Sequence, residues 1–311
     1  MSGEEWYPPL IGGCQWVPSN AQVLSDCLER LWDHIANSRV ELAKLWHPLG
    51  RKKLPKSPLN EDWIQVEVLL PILHALGWEW DEIIPGNRSK GWDITCCPPS
   101  GRLAIEAKAD GIPVGQKQLK EKRDKEEQKK TPPCTSPNPC FGITNGSAWT
   151  VQLGGTTGPM FSFTIDDVEA PHHLAALARD VINGSMTAAD WLERPWVAPQ
   201  WTPWPLTEFT KQVLDMLVSE LDIGDANASF ARRRTPTVFG LLDASGEKRY
   251  LVIQMWALDR RIGFFTPDPS PRSPYKQGDY LGTFRWHQSP FELMDELRAW
   301  VPCLRNRLRA V

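Results

Sequence analysis

Asp93, Glu106 and Lys108 are the residues of this chain whose types and spacing best fit chemistry. Glu106 and Lys108 lie two apart in the run Leu103-Ala104-Ile105-Glu106-Ala107-Lys108. On a strand, both side chains then point to one face and Ala107 to the other. Asp93 opens a second apolar-rich run, 92–97, and a Pro98-Pro99-Ser100-Gly101 turn separates the two, the pattern of a β-hairpin with a slightly long loop. Pairing the runs brings Asp93 beside Glu106. Two carboxylates that close repel unless a hard divalent cation sits between them, and oxygen donors of this kind suit Mg2+, with Mn2+ able to substitute. A lysine alongside orients an attacking water or offsets negative charge building up on a phosphate. Three charges on a solvent-facing hairpin would leave the same alternation of Ile94, Leu103 and Ile105, so the pattern admits that reading too.

Two helices must flank such a hairpin. In residues 60–76 the apolar positions Ile64, Val68, Leu69, Ile72, Leu73 and Leu76 share one broad face at ~100° per residue. Glu61 projects within that face, near the helix N-terminus, where it either joins the site or serves as favourable charge. Glu67 falls almost opposite, toward solvent, and is left out of the site. Residues 114–130, with seven bases against four acids, read as an exposed helix braced by Glu121–Lys125 and Glu126–Lys130 pairs. Residues 141–153 read as strand, Asn145-Gly146 turn, strand. A strand at 160–165 and a helix at 171–182, with His172-His173 at its start, complete the region.

These segments, in this order, resemble the PD-(D/E)xK nucleases. Within them the likeness is to the nuclease domain at the N-terminus of type I restriction-enzyme motor subunits, over about residues 55–155. Besides Asp93 and Glu106-Ala107-Lys108, it is carried by Glu61-Asp62-Trp63-Ile64 through Leu73-His74-Ala75-Leu76-Gly77-Trp78, an opening helix ending in Leu-Gly-Trp. Gln118-Leu119 falls where the family has Gln-Leu-x-x-Tyr, and Gly142-Ile143-Thr144-Asn145-Gly146 resembles its closing Thr-Asn-Gly turn. Trp92 stands in place of the name-giving proline, and Lys122 in place of the tyrosine, so no role of that tyrosine carries over. The resemblance implies an α/β, restriction-endonuclease-like core, a mixed sheet flanked by helices. It also implies a Mg2+-dependent endodeoxyribonuclease of restriction or phage defence, with Asp93, Glu106 and the Ala107 carbonyl on the metal and Lys108 positioning water. Glu61 would assist, and Gln118 would contact a phosphate or the water; on chemistry alone Gln116 is an equal rival. The chain carries no Walker A sequence. A motor or specificity subunit therefore comes from a partner, or the nuclease works alone or as a homodimer on DNA. The alternative is a nucleic-acid-binding or assembly protein that keeps the fold without turnover.

The 311 residues suffice for two modest domains, each with a core. The expected divisions are an arm and support helices at 1–50, the nuclease-like domain at 51–186, a linker at 187–205 and a smaller α+β domain at 206–311. The support helices show no chemistry, and His34 and His47 read as surface or packing residues. The linker is dense in Trp and Pro, so its indoles either pack between domains or offer a stacking platform for unpaired bases. In the last domain a helix capped by Thr207 leads to strands at 237–242, 249–256, 261–266 and 280–286, then to a helix opened by the capping box Ser289-Pro290-Phe291-Glu292.

Net charge is −3, yet Phe230 to Val311 carries fourteen Lys and Arg against eight Asp and Glu. Arg232, Arg233, Arg234, Arg260, Arg261 and the tail Arg305, Arg307 and Arg309 are the candidate phosphate contacts there, and the linker Arg51-Lys52-Lys53-Leu54-Pro55-Lys56 another; each also reads as a solvated basic face. Seven cysteines without a CxxC pair, an acidic start with no apolar run after it and no apolar stretch of ~18 residues predict a cytoplasmic, thiol-reduced chain with no membrane segment.

Overall fold

The computed structural model describes residues 17–44, 59–87, 90–127, 134, 136–201, 203, 206–221, 226–231, 234–243, 249–256, 261–267, 277–285 and 290–309. The basic run 51–56 and Arg232, Arg233 and Arg260 lie outside them. The protein is mixed α/β, with a six-stranded mixed sheet, a five-stranded antiparallel sheet and helices packed on both.

The first sheet runs in sequence order: β1 (Ile83–Asn87), β2 (Lys90–Cys96), β3 (Leu103–Ala107), β4 (Cys140–Thr144), β5 (Ala148–Gln152) and β6 (Met160–Thr164). Only β3 and β4 pair in parallel, because the connection between them crosses over through helix α4 (Gln116–Glu127). The expected hairpin is there, with Ile94 opposite Ile105 and Cys96 opposite Leu103. One face of β3 is packed by Ile105 and Leu103 into the main core, while Ala104 joins Trp92, Phe141, Ile143 and Leu119 of α4 in a smaller cluster on the other. Leu119 is buried, as are Arg123, held by Gln152 and the Thr156 carbonyl, and Glu126. α4 is therefore half-embedded, where its charge pattern predicts an exposed helix. The Asn145-Gly146 turn forms as expected, with Gly146 at φ +95°. A Cβ there would stand 2.7 Å from Ile64 Cδ1 and in a conformation that L-residues avoid.

Against the main-core face lies α1 (Asn20–Lys44), one continuous helix where support helices were expected. Next comes a helix in three parts: α2 (Glu61–Ile64), a π-turn (Gln65–Leu69) and α3 (Leu70–Ala75). Pro71 explains the middle part. It lacks an N–H, and its ring would strike the carbonyl four residues back; widening the turn, with Leu70 N–H donating to the Gln65 carbonyl, relieves the clash. From Trp63 to Leu76 this helix is enclosed on every side, so the solvent side expected for Glu67 does not exist. Glu67 is 1% exposed and lies 2.7 Å from His34 Nε2, whose ring stacks on Trp63. His34 loses basicity to burial, but the Glu67 carboxylate outweighs that and its pKa is raised.

Beyond β6 the expected single helix is two short ones, α5 (Ala170–Ala175) and α6 (Arg179–Ile182), followed by α7 (Ala188–Glu193). The Trp/Pro-rich segment packs back onto the first sheet's helices: Trp201 Nε1 donates to the Trp78 carbonyl at 2.6 Å, and His74 contacts both Trp196 and Trp201. A thiol expectation fails. Cys97, just past β2, is disulfide-bonded to Cys134 ahead of β4, 37 residues on. Only folding brings the pair together, and no short spacing announces it in the sequence. Among the described residues no helix is long and apolar enough to cross a membrane.

The second sheet is a meander of β7 (Ala226–Ala231), β8 (Arg234–Asp243), β9 (Arg249–Trp256), β10 (Arg261–Pro267) and β11 (Gln277–Arg285). It has one strand more than the sequence led us to expect, because the Ala-Asn-Ala-Ser-Phe-Ala of β7 is poor in β-branched residues. Helices α8 (Leu206–Glu220) and α9 (Pro290–Arg309) cover one face. Thr207 is inside α8 rather than capping it, and α9 continues through Pro302. Val213, Leu214 and Leu217 of α8 join the same continuous core as the first sheet's helices, and Lys211 pairs with Glu41 of α1.

Candidate functional site

The β2–β3 ladder ends at the Ile94–Ile105 pair, and the strands part at the next residues. There Asp93 takes over a backbone role: its Oδ2 accepts the Ala107 N–H at 2.8 Å. Glu106, one residue back and on the face of β3 shared with Ala104, is 6% exposed. Lys108 Nζ donates to Glu106 Oε1 at 2.5 Å and lies 3.6 Å from Glu61 Oε1. Glu61 reaches the cluster from the first residue of α2, whose start is fixed by Asn60 Oδ1 accepting the Trp63 N–H. Thus Asp93, Glu106, Lys108 and Glu61, drawn from three segments of the chain, converge at one open hairpin end.

Electrostatics at this end are strained by like charge. Burial, then the Glu106 carboxylate, lifts Asp93 to about 7, against the lowering effect of the Ala107 N–H. Burial works against a charged Lys108, yet the Glu106 hydrogen bond and charge prevail and its pKa is raised. Lys108 is therefore an ammonium at neutral pH, a donor and a cation rather than a base.

A further residue completes the cluster, and sequence reasoning missed it. Lys122 of α4 places Nζ 2.7 Å from Glu106 Oε2, donates to the Gly91 carbonyl at 2.7 Å and stands 3.6 Å from Glu126 Oε1. It also lies 5.8 Å above the Trp92 ring. Its contact with Oε2 is an ion pair without hydrogen-bond geometry, which leaves that buried oxygen free of any hydrogen bond. The signal was its place four residues after Gln118, on a helix read as wholly solvent-facing. Gln118 itself is exposed, one turn before Lys122, with Oε1 beside Gly115.

Oxygen donors of this kind suit Mg2+. It takes one or two carboxylates, keeps several waters and draws further oxygens from a phosphate. Asp93 and Glu106 are two hard carboxylates at mutual electrostatic cost, Glu106 Oε2 lacks a hydrogen bond, and the Ala107 carbonyl is a third oxygen in the same segment. Among the described residues no three His, Cys, Asp or Glu side chains gather as a fuller ligand set. Of the arginines expected to meet phosphates, Arg234 opens β8 and Arg261 opens β10, the latter 4.3 Å over the Trp256 ring.

Compared with known proteins, the chain matches no family model, no curated protein and no solved structure.

Proposed function

We propose that this chain is a Mg2+-dependent DNA endonuclease with a restriction-endonuclease-like, PD-(D/E)xK core, serving restriction or phage defence. The observation that supports it most is the convergence of Asp93, Glu106 and Lys108 where β2 and β3 part. Asp93, Glu106 and the Ala107 carbonyl hold the cation, with Mn2+ able to replace it. When bound, the ion supplies Lewis-acid polarisation of a phosphoryl oxygen and a more acidic water. Lys108, protonated and 29% exposed, donates toward the attacking water or the phosphate oxygen that gains charge. Lys122 steadies the second oxygen of Glu106, and Glu61 keeps Lys108 oriented. Gln118, on the same helix as Lys122 and exposed, is placed to meet the strand's backbone. Cutting both strands calls for a homodimer or a partner motor or specificity subunit.

The direct test is supercoiled plasmid incubated with Mg2+. Nicked or linear product that disappears with EDTA and in Lys108→Ala supports the enzyme. One observation favours a second reading: two ammonium groups already neutralise Glu106, as a cluster kept for binding alone would require. Metal-independent DNA binding by the wild type, with no cleavage under any divalent ion, would decide for that non-catalytic binding or assembly role.

A further inference from the structure

Lys122 is held on four sides, three of them oxygen. Its Nζ lies 2.7 Å from Glu106 Oε2 on β3, donates to the Gly91 carbonyl on β2 at 2.7 Å, and stands 3.6 Å from Glu126 Oε1, one turn further along α4. The fourth side is the Trp92 ring, 5.8 Å away and itself stacked on Phe141. Glu106 and Glu126 are both buried, so water does little to screen their charge. Gly91 sits at φ +112°, a backbone conformation that L side chains rarely adopt, so glycine is what lets that carbonyl face the ammonium. Lys108, on the other oxygen of Glu106, lies instead at the rim beside the exposed Glu61.

Two carboxylate oxygens and a backbone carbonyl around one positive charge are the donors that a hard divalent cation takes. Where phosphoryl-transfer sites hold two such ions, the ions stand about 3.5–4 Å apart, a span that one carboxylate bridges with an oxygen to each. Glu106 has the place of that bridging carboxylate. It serves the proposed ion together with Asp93, and its Oε2 faces Lys122. The neighbouring cation position is therefore filled by a charge tied to the protein. Taking the ammonium away would leave Oε2, a buried oxygen without a hydrogen bond, to the next cation that fits.

We infer that Lys122 is a built-in second cation: its ammonium occupies the position beside Glu106 that a second divalent ion would otherwise take, so that the site binds one. This rests on the proposed metal site and adds to it the number of ions and the residue that limits them. Lys122 acts through Glu106 and touches no reacting atom, which makes it a positioning residue.

The test counts Mn2+ bound to the full chain, without DNA, by electron paramagnetic resonance, in which bound ion drops out of the sharp signal of the free aquo ion. The wild type should bind one ion. Lys122→Ala should bind two, and so should Lys122→Gln, which keeps an N–H for the Gly91 carbonyl and so guards against a loss of fold in the first variant. Lys122→Arg keeps the charge and should bind one. Circular dichroism confirms the fold of each. In a parallel melting series, Mn2+ should raise the midpoint of the two neutral variants more than that of the wild type, because a second ion binds their folded state. A wild type that binds two ions, or folded Ala and Gln variants that both stop at one, overturns this inference and leaves the metal site standing. A wild type that binds none removes the metal site, and this inference with it.

Discussion

The two sheets spend their polar and aromatic residues in opposite ways. The six-stranded sheet gathers carboxylates and ammonium groups where one hairpin opens, and surrounds them with fully buried side chains such as Ile105, Phe141 and Leu119. The five-stranded sheet places its most apolar groups against two helices and leaves rings and an arginine on the outside. In the first, each charge is fixed by a neighbour that would be left wanting without it. In the second, the outward rings touch one another, and Val252, paired with Phe265, is buried beside them. Charge held in an interior is intolerant of change; rings near a surface tolerate it.

The largest effect that separates the regions should come at Lys108. Lys108→Ala should lower Mg2+-dependent plasmid cleavage by about a hundredfold or more, as loss of a charge-stabilising donor does, while the far-ultraviolet circular dichroism stays unchanged. Undiminished cleavage by the folded variant would remove Lys108 from the site. Next is Glu67→Ala, which strips a buried partner from His34 and should cost about 3–5 kcal/mol in urea unfolding. A loss below 1 kcal/mol would mean that the buried pair is dispensable. Gly146→Ala should cost about 1–3 kcal/mol, from its φ of +95° and the Ile64 contact.

A pH effect is expected in the first region. Asp93 is lifted to about 7 by burial and Glu106, above its ordinary 3.8. Between those values the folded protein keeps a proton that the unfolded chain has lost, so stability falls as pH rises through that window. Asp93→Asn should therefore melt above the wild type at about pH 8 in EDTA and level with it near about pH 4. Equal melting curves at both values would remove the strain we ascribe to the carboxylate pair. The smallest change is expected at Tyr280→Ala, within about 0.5 kcal/mol of wild type in the same unfolding assay, as suits an exposed side chain.

Much of the hairpin was legible because its signals are local. A Pro-Pro-Ser-Gly turn between two apolar runs, and a Glu-x-Lys whose members must share a face, need no knowledge of the rest of the chain. Asn145-Gly146 and the strand at β9 were legible for the same reason. Glu67 was not, since a period of 3.6 assumes a regular helix with one wet side, and Pro71 plus burial all round remove both assumptions. Lys122 was hidden because α4 has one buried apolar residue, Leu119, among charges that read as solvent-facing; its inward turn depends on a carboxylate sixteen residues earlier. β7 and the Cys97–Cys134 bond were hidden for a third reason, because each is fixed by its partner and not by its own residues.

That bond closes the backbone into a covalent ring. Glu106, Lys108 and Lys122 all fall within the stretch it encircles, whereas Asp93 lies just outside. Tying off a loop of this length removes open-chain freedom amounting to about 3–4 kcal/mol. A protease that severed the peptide anywhere between the two cysteines would open the ring without releasing a fragment, so all three residues would stay tethered to the body that holds their counterpart.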